Sequence, residues 1–321
     1  MSRPRVVCTR RFPGGALDRL ATRCELWVGP EEGVPAEALA GRLVDAEALI
    51  CVVGDRVDAA LLDGAPRLRL VATPAAGTDH VDLAAARARG LWVCHSVDAT
   101  TDATADLAWA LLLAAARRVV EGDRLVREGR FHGWSPSLLL GKQVSGATLG
   151  VVGAGRIGRA VLRRAAGFGM RLCYTRTGGP LPELEASGAR HRSFLELLSE
   201  SDFVSLHVPL TPATRHLIDA RALASLRPGA ILVNTSRGPV VDEAALAAGL
   251  DAGRPLAAAL DVFEAEPDVA PALRRHERVV LSPHAGSATD VARARMMEEA
   301  VAAVEAVLLD GREPAGVVVR P

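Results

Sequence analysis

The sequence predicts an α/β protein that contains two doubly wound parallel sheets. Two observations support this fold class. Short apolar segments alternate with helical patterns through the first hundred residues, and a second series of such segments runs from residue 148 to residue 281. Apolar runs of four to six residues that alternate with helices are typical of parallel strands covered by helices on both faces.

In the first region, the apolar runs predict the strands and the segments between them predict amphipathic helices. The polar stretch at 95–102 interrupts this alternation and is expected to be the crossing into a second domain. The expected strands cover 5–9, 24–28, 48–53, 68–73 and 91–94, and the expected helices cover 16–22, 35–43, 57–62 and 81–89.

A long helix is predicted over 103–120, with Asp102 as its N-cap and Asp106 in its early turns. A loop is expected at 129–146. The strands that follow are predicted at 148–152, 170–174, 203–206, 230–234, 257–261 and 279–281, with helices at 159–168, 194–199, 221–226 and 243–252.

The last predicted helix is amphipathic and covers 289–309. No strand is predicted after it, so we expect it to pack back on the first domain. This divides the chain into a discontinuous domain, 1–98 plus 290–321, and a domain inserted at 99–289. The apolar side of the helix is predicted to carry Val291, Met297, Val301, Val304 and Leu308.

Composition narrows the class of protein. The 321 residues include 38 Lys and Arg and 38 Asp and Glu, so no net charge favours nucleic acid or a membrane surface as a partner. The five cysteines form no CxxC pair, and neither a disulfide framework nor a metal site is expected. The N-terminus lacks an apolar signal core, and the longest apolar run, at 107–116, is too short to span a bilayer. We therefore expect a cytoplasmic protein.

A glycine-rich turn opens the second series of strands. It reads Gly153-Ala-Gly155-Arg-Ile-Gly158 and lies between an apolar run and a helical pattern. The first glycine permits a tight turn, the second lets the backbone approach a pyrophosphate, and the third lets the helix pack closely on the strand. The amino end of the helix offers unpaired N–H groups to phosphates. This order predicts a Rossmann-like dinucleotide site.

The segment after the next strand distinguishes the two nicotinamide cofactors. An Asp or Glu about 20 residues beyond the glycine turn would accept hydrogen bonds from the ribose 2′-OH of NAD. Here the segment reads Tyr174-Thr175-Arg176-Thr177, and the first carboxylate is Glu183. Arg176 can pair with a 2′-phosphate, and either threonine can donate to it. NADP is therefore predicted over NAD; the alternative is that Arg176 is only a solvated loop residue.

Three further strand ends carry candidate catalytic groups, and such ends face the ligand crevice of an α/β sheet. Arg237 follows one strand, and its guanidinium can bind a carboxylate and polarise a carbonyl group. The next strand leads to Asp261 and then to Glu264 and Glu266. The last strand ends at Pro283, directly before His284. A carboxylate beside an imidazole favours its protonated form, which can donate a proton.

The residues alone leave open whether Glu264 or Glu266 is the partner of His284. The other histidines considered lack this convergence of an arginine and a glutamate on neighbouring strand ends, and they are expected to be structural. They are His80, His95, His191, His207, His216 and His276.

Taken together, these motifs resemble the D-isomer-specific 2-hydroxyacid dehydrogenases, most of all the glyoxylate/hydroxypyruvate reductase branch. The resemblance covers nearly the whole chain. It rests on GAGRIG at 153–158, TDATADLAWALLLAAARR at 101–118, WSPSLLLG at 134–141, NTSRGPVVDEAAL at 234–246, LDVFEAEP at 260–267 and PHAGSAT at 283–289.

The resemblance implies roles for the candidate residues. Arg237 would bind the substrate carboxylate and keto oxygen, His284 would be the general acid/base, and Glu266 rather than Glu264 would be its partner. Backbone N–H groups of Ala76 and Gly77 would also hold the carboxylate. The cofactor would be lined by Thr104, Arg156, Ile157, Pro209, Thr235, Ser236, Asp261 and Gly286, with Asp261 meeting the nicotinamide carboxamide.

The sequence departs from the family pattern at two places. The usual acid after the second nucleotide strand is replaced by the 174–177 segment, as in NADP-using members. The substrate turn reads Thr-Pro-Ala-Ala-Gly instead of a bulkier form, which leaves the size of the substrate open.

The resemblance also implies a homodimer, in which the 103–146 segment embraces the partner. Trp134 would then reach the neighbouring subunit's site, or it would instead be a local core residue.

The predicted function is NADPH-dependent reduction of a small 2-oxo acid, such as glyoxylate or hydroxypyruvate, to the D-2-hydroxy acid. One alternative is an NAD-dependent phosphoglycerate- or phosphite-type dehydrogenase; the end of the chain at Pro321 leaves no room for the regulatory domain of the long phosphoglycerate enzymes. A different class is a non-catalytic, nucleotide-sensing corepressor, against which the intact Arg/Glu/His set argues.

Overall fold

The computed structural model describes residues 3–321, and the chain forms two compact units. The first unit consists of the described residues up to Thr100 together with Ser287–Pro321, and the second is Thr101–Gly286. Each unit has its own sheet and its own apolar core, as the alternation of strands and helices predicts.

The sheet of the first unit has the strand order β13-β5-β4-β3-β1-β2. All its pairings are parallel except that of β13 with β5, which is antiparallel. Its strands are β1 Arg5–Cys8, β2 Glu25–Val28, β3 Ala48–Ile50, β4 Leu70–Thr73, β5 Trp92–His95 and β13 Val317–Val319. Its helices are α1 Ala16–Ala21, α2 Ala36–Leu43, α3 Ala59–Asp63, α4 Leu83–Ala88 and α13 Asp290–Val304.

The second unit contains a fully parallel sheet with the order β12-β11-β10-β9-β6-β7-β8. Its strands are β6 Thr148–Val152, β7 Arg171–Thr175, β8 Arg190–His191, β9 Phe203–Leu206, β10 Ile231–Asn234, β11 Ala257–Leu260 and β12 Val279–Leu281. Its helices are α5 Thr101–Arg117, α6 Val119–Arg127, α7 Arg156–Ala165, α8 Pro182–Ala186, α9 Phe194–Glu200, α10 Ala220–Ser225, α11 Glu243–Asp251 and α12 Pro271–Arg275.

The strands form where continuous apolar runs can be buried on both faces of a sheet. Every residue of β6, β9, β10 and β11 is buried. Aspartate side chains cap several of the intervening helices by accepting hydrogen bonds from backbone N–H groups. These caps are Asp58, Asp82, Asp219 and Asp242.

The helix predicted over 103–120 differs from the one observed. Helix α5 begins at Thr101, so Asp102 lies in its first turn and is not its N-cap. From this first turn, the Asp102 carboxylate pairs with Arg164 at 3.0 Å. The helix ends at Arg117 because Arg118 adopts the left-handed conformation, with φ of 55°. A separate helix, α6, follows this break.

The C-terminal prediction was wrong about the absence of a later strand and about the burial of Val291. Helix α13 ends at Val304 and passes into a π-helical turn, Glu305–Leu309, after which β13 adds an edge strand beside β5. Met297, Val301 and Val304 are buried as predicted, whereas Val291 is 64% exposed. The helix packs against the core of the first unit.

Three short elements of the second unit, β8, α8 and α12, have no counterpart in the predictions, because two to five residues give too little periodicity. The five cysteines are buried and unpaired with one another. Within residues 3–321, we find no helix of sufficient length and apolar character to cross a bilayer.

Candidate active site

The strand order of the second sheet reverses between β6 and β9, and this reversal creates the crevice where α/β sheets bind ligands. The segments that follow the carboxyl ends of the strands therefore form the candidate site. They include the glycine turn after β6, Arg176 after β7, the Arg237 turn after β10, Asp261 to Glu266 after β11 and His284 after β12.

The glycine turn is packed so tightly that two of its glycines cannot be replaced. Gly153 has φ of 98°, and a Cβ atom there would lie 2.4 Å from the carbonyl oxygen of His207. A Cβ atom at Gly158 would lie 2.1 Å from the Gly153 carbonyl oxygen. Gly155, by contrast, is the N-cap of α7 and faces open space. The turn thus leaves room for a phosphate group where the amino end of a helix can bind it.

Arg176 directly follows β7 and is exposed, as is Thr177. Its guanidinium donates to the carbonyl oxygens of Gly178 and Gly179 at 3.4 and 3.3 Å. The two nearest carboxylates along the chain have other partners: Glu183 pairs with Arg159 at 2.9 Å, and Glu185 accepts from the Tyr174 hydroxyl at 3.1 Å. The end of β7 therefore presents a cation rather than an acid.

The turn after β10 is organised by Asn234, which the sequence analysis did not single out. Its buried side chain accepts hydrogen bonds from the Ser236 backbone N–H and hydroxyl, and donates to the Arg237 carbonyl oxygen at 2.9 Å. The signal was present, because asparagine at a strand end commonly bonds to the backbone two residues ahead. Thr235 is buried beside it, and its hydroxyl has no hydrogen-bond partner.

The turn that carries Arg237 and the loop after β11 are in direct backbone contact at Gly238. A Cβ atom at Gly238 would lie only 1.9 Å from the Phe263 carbonyl group and 2.5 Å from the Glu264 nitrogen. A glycine is required here because the backbone after Arg237 packs on the backbone before Glu266. The Arg237 guanidinium also donates to the Ser236 carbonyl oxygen at 2.8 Å.

The imidazole of His284 is paired with Glu266. Its Nδ1 lies 2.7 Å from Glu266 Oε2, while Glu266 Oε1 accepts from the Phe263 N–H at 2.9 Å. Burial alone would raise the pKa of Glu266, but these two hydrogen bonds and the charge of Arg237 outweigh it, and the pKa lies below its usual value. The carboxylate is therefore ionised at neutral pH and orients the ring, leaving Nε2 for a reacting group.

Glu264 occupies a different place from Glu266. Its carboxylate is hydrogen-bonded to Nε2 of His216, and its backbone N–H donates to the buried carboxylate of Glu243 at 2.8 Å. The choice that the residues left open is thus resolved geometrically, since Glu266 is the neighbour of His284. Burial raises the pKa of Glu243 above its usual value.

Asp261 holds the turn that carries His284. Its two carboxylate oxygens accept from the N–H groups of Ala285 and Gly286, each at 2.8 Å, and its carbonyl oxygen accepts from the His284 N–H at 2.7 Å. His284 has φ of 52°, a left-handed conformation that these bonds stabilise. Thr104 lies beside the same turn, 3.4 Å from where a Cβ of Gly286 would be.

The remaining candidates belong to other segments of the chain. Pro209 is exposed in the loop after β9, and its carbonyl oxygen accepts from the Thr214 hydroxyl at 2.6 Å. Arg156 and Ile157 form the first turn of α7. Ala76 and Gly77 belong to the first unit, where they follow β4 and the Ala76 carbonyl oxygen lies 2.8 Å from His95 Nδ1.

Trp134 is 83% exposed, which contradicts the alternative that it is a local core residue. It lies within a stretch of the second unit that exposes several other large apolar side chains. These are Val119, Val126, Phe131, Leu138 and Leu140.

Known proteins with related sequences indicate one family. The family model for the NAD binding domain of D-isomer specific 2-hydroxyacid dehydrogenases matches residues 109–286. The glyoxylate reductase of Thermococcus gammatolerans is 47% identical over 302 residues, which cover 92% of this chain and 90% of that protein.

Two solved structures extend the comparison to three dimensions. The TT0316 protein of Thermus thermophilus is 48% identical, with a TM-score of 0.91 over 98% of this chain and 100% of that one. An NADPH-dependent glyoxylate/hydroxypyruvate reductase of Sinorhizobium meliloti, in complex with NADP and malonate, is 32% identical. Its TM-score is 0.88, over 100% of this chain and 99% of that one. The chain therefore belongs to the D-isomer specific 2-hydroxyacid dehydrogenase family and is an NAD(P)-dependent oxidoreductase.

Proposed function

We propose that this protein reduces a small 2-oxo acid, of the glyoxylate or hydroxypyruvate type, to the D-2-hydroxy acid with NADPH. The observation that carries the proposal is the convergence of Arg237 with the paired His284 and Glu266 on neighbouring strand ends of a sheet that also bears a dinucleotide turn. An anion-binding cation beside a proton donor suits a substrate with adjacent carboxylate and keto groups.

A nicotinamide cofactor held at the glycine turn would supply the hydride that the keto carbon receives. Arg237 binds the carboxylate and polarises the keto group, and His284 donates its Nε2 proton to the keto oxygen as negative charge develops there. Glu266 keeps the imidazole oriented through its hydrogen bond to Nδ1. The Ala76 and Gly77 N–H groups are proposed as further carboxylate donors, so the first unit would be the substrate domain.

The residues fit a dinucleotide cofactor at the glycine turn. Gly155 is open to solvent at the amino end of the ten-residue helix α7, where pyrophosphate oxygens can accept backbone N–H groups. At the end of β7, Arg176 would pair with a 2′-phosphate with the help of Thr177, and no carboxylate in the 174–182 segment would repel it. NADP is therefore the proposed cofactor, with NAD as a weaker substitute.

The first test compares initial rates of NADPH and NADH oxidation with glyoxylate, in the wild type and in Arg176→Asp. We expect the wild type to prefer NADPH and the variant to lose most of that preference, because an ion pair with the 2′-phosphate is replaced by repulsion. A shift of at least tenfold in the ratio of kcat/KM values corresponds to about 1.4 kcal/mol.

Arg275→Asp is a matched control, because Arg275 is also exposed but ends α12, the helix before β12 at the opposite edge of the sheet from β7 and β8. Its cofactor preference should equal that of the wild type. A wild-type preference for NADH that Arg176→Asp leaves unchanged would rule out the 2′-phosphate site. Binding of NADPH without turnover of any 2-oxo acid would instead favour the corepressor class.

We also propose that the protein is a homodimer formed through the exposed apolar residues between Val119 and Leu140. Large apolar side chains clustered on a surface are typical of protein interfaces. Trp134 and Leu140 are the most exposed of them, at 83% and 68%. Tryptophan is a frequent anchor residue of interfaces.

Sedimentation of the wild type and of a Trp134→Ser/Leu140→Ser variant tests this interface. The wild type should sediment as a dimer, and the double variant should dissociate at micromolar concentration with an unchanged circular dichroism spectrum. Val291→Ser is the control, because Val291 is as exposed as Leu140 but lies in the other unit. A monomeric wild type, or a dimer that withstands both substitutions, would refute the assignment.

A further inference from the structure

A second histidine–glutamate pair lies next to the proposed catalytic pair, and no proposed step uses it. Nε2 of His216 is hydrogen-bonded to Oε1 of Glu264, with both side chains half-buried. Glu264 is two residues before Glu266 in the loop after β11. His216 comes from a separate segment, between β9 and α10.

His216 contacts both of the loops that carry proposed catalytic groups. Its backbone N–H donates to the Pro239 carbonyl oxygen at 2.8 Å, two residues after Arg237, while its ring bonds to Glu264. The residue adopts the left-handed conformation, with φ of 50°, which is uncommon outside glycine. The Arg237 turn and the Glu266 loop are therefore bridged by one residue.

Glu243 adds a second bridge between the same loops. It begins α11, the helix that follows the Arg237 turn, and its buried carboxylate accepts the Glu264 N–H at 2.8 Å. Glu264 is thus held at its side chain by His216 and at its backbone by Glu243. Glu266, at the end of the same short loop, is bonded to the Phe263 N–H of its own loop and to His284.

We propose that His216 and Glu264 are positioning residues that fix the separation between Arg237 and Glu266. This inference rests on the proposed function, since it assumes that Arg237 binds the substrate and that Glu266 orients His284. A displacement of about 1 Å between such groups can cost a large factor in rate. Neither residue contacts substrate or cofactor in this proposal.

The test uses His216→Asn, Glu264→Ala, Glu264→Gln and the His216→Asn/Glu264→Ala double variant. Asparagine tolerates the left-handed backbone but is too short to replace the imidazole, and glutamine keeps an acceptor for His216 Nε2. We expect His216→Asn and Glu264→Ala each to lower kcat with glyoxylate about tenfold. Glu264→Gln should retain at least half of the wild-type kcat, and the double variant should be no slower than either single variant.

NADPH fluorescence titration provides a readout that does not depend on turnover. The Kd for NADPH should stay within twofold of the wild-type value in every variant, because the glycine turn and Arg176 are untouched. His276→Asn is the matched control: it also removes a histidine near an acid, with 3.8 Å between His276 and Asp251, but it lies before β12. Its kcat should be that of the wild type.

Several outcomes would overturn the proposal. Wild-type kcat in both His216→Asn and Glu264→Ala, multiplicative losses in the double variant, or a Glu264→Gln variant as slow as Glu264→Ala would each do so. A parallel loss of NADPH affinity would also do so, since it would indicate general disruption. The proposed function is tested separately by Arg237→Ala: if that variant is inactive while the His216 variants are fully active, only the positioning role fails.

Discussion

Arg237→Ala should lower kcat/KM for glyoxylate by about a thousandfold, the upper range for loss of one preorganised donor to a developing oxyanion. The guanidinium has two functions, to bind the carboxylate and to polarise the keto group, so both KM and kcat should change. Steady-state rates with saturating NADPH measure both values.

Arg237→Lys separates charge from geometry. Lysine keeps the positive charge but loses the planar pair of N–H donors, so we expect it to recover only a small part of the lost kcat/KM. Arg221→Ala is a suitable control, because Arg221 is exposed on α10 and should leave the rate unchanged. Near-normal activity of Arg237→Ala would contradict the proposed mechanism.

The fold was largely predictable because the strands of both sheets are parallel, apart from β13, and most of their residues are buried. Their strands appear as continuous apolar runs, and the glycine turn marks the first strand of the second sheet. The predictions that were wrong concern single short elements. Arg118 breaks the long helix through a backbone conformation that an arginine rarely adopts, and β13 is a three-residue edge strand formed only by pairing with β5.

The residue pattern predicts which strand ends carry the candidate site, but it does not predict how the loops there are hydrogen-bonded to one another. Parallel strands bring their carboxyl ends to one edge, which places Arg237, Glu266 and His284 in the same region. The pairing of Glu266 rather than Glu264 with His284 depends on how the loop after β11 folds, and sequence spacing does not determine this. The contribution of Asn234 and His216 depends on bonds between separate loops, which no single motif records.

His284→Ala should lower kcat for glyoxylate reduction by about a thousandfold, within the range for loss of a general acid. Glu266→Gln should cost less, about a hundredfold at most, because the proton donor remains and only its orientation and electrostatic support are lost. Single-turnover NADPH oxidation, followed by fluorescence, separates this chemical step from product release.

The pH dependence tests the same pair with a defined sign. Because the ionised carboxylate of Glu266 orients the ring of His284, kcat/KM of the wild type should fall once the pH is low enough to protonate Glu266. The pKa of Glu266 is held below its usual value by its hydrogen bonds from His284 and Phe263, despite burial, so its carboxylate stays ionised well into the acid range. Loss of activity through protonation of Glu266 is therefore expected only at a pH below the ordinary range of a glutamate. In Glu266→Gln, this loss at low pH should be absent, because the amide has no carboxylate to protonate. A loss at low pH that is identical in the two proteins would mean that protonation of Glu266 is not its cause.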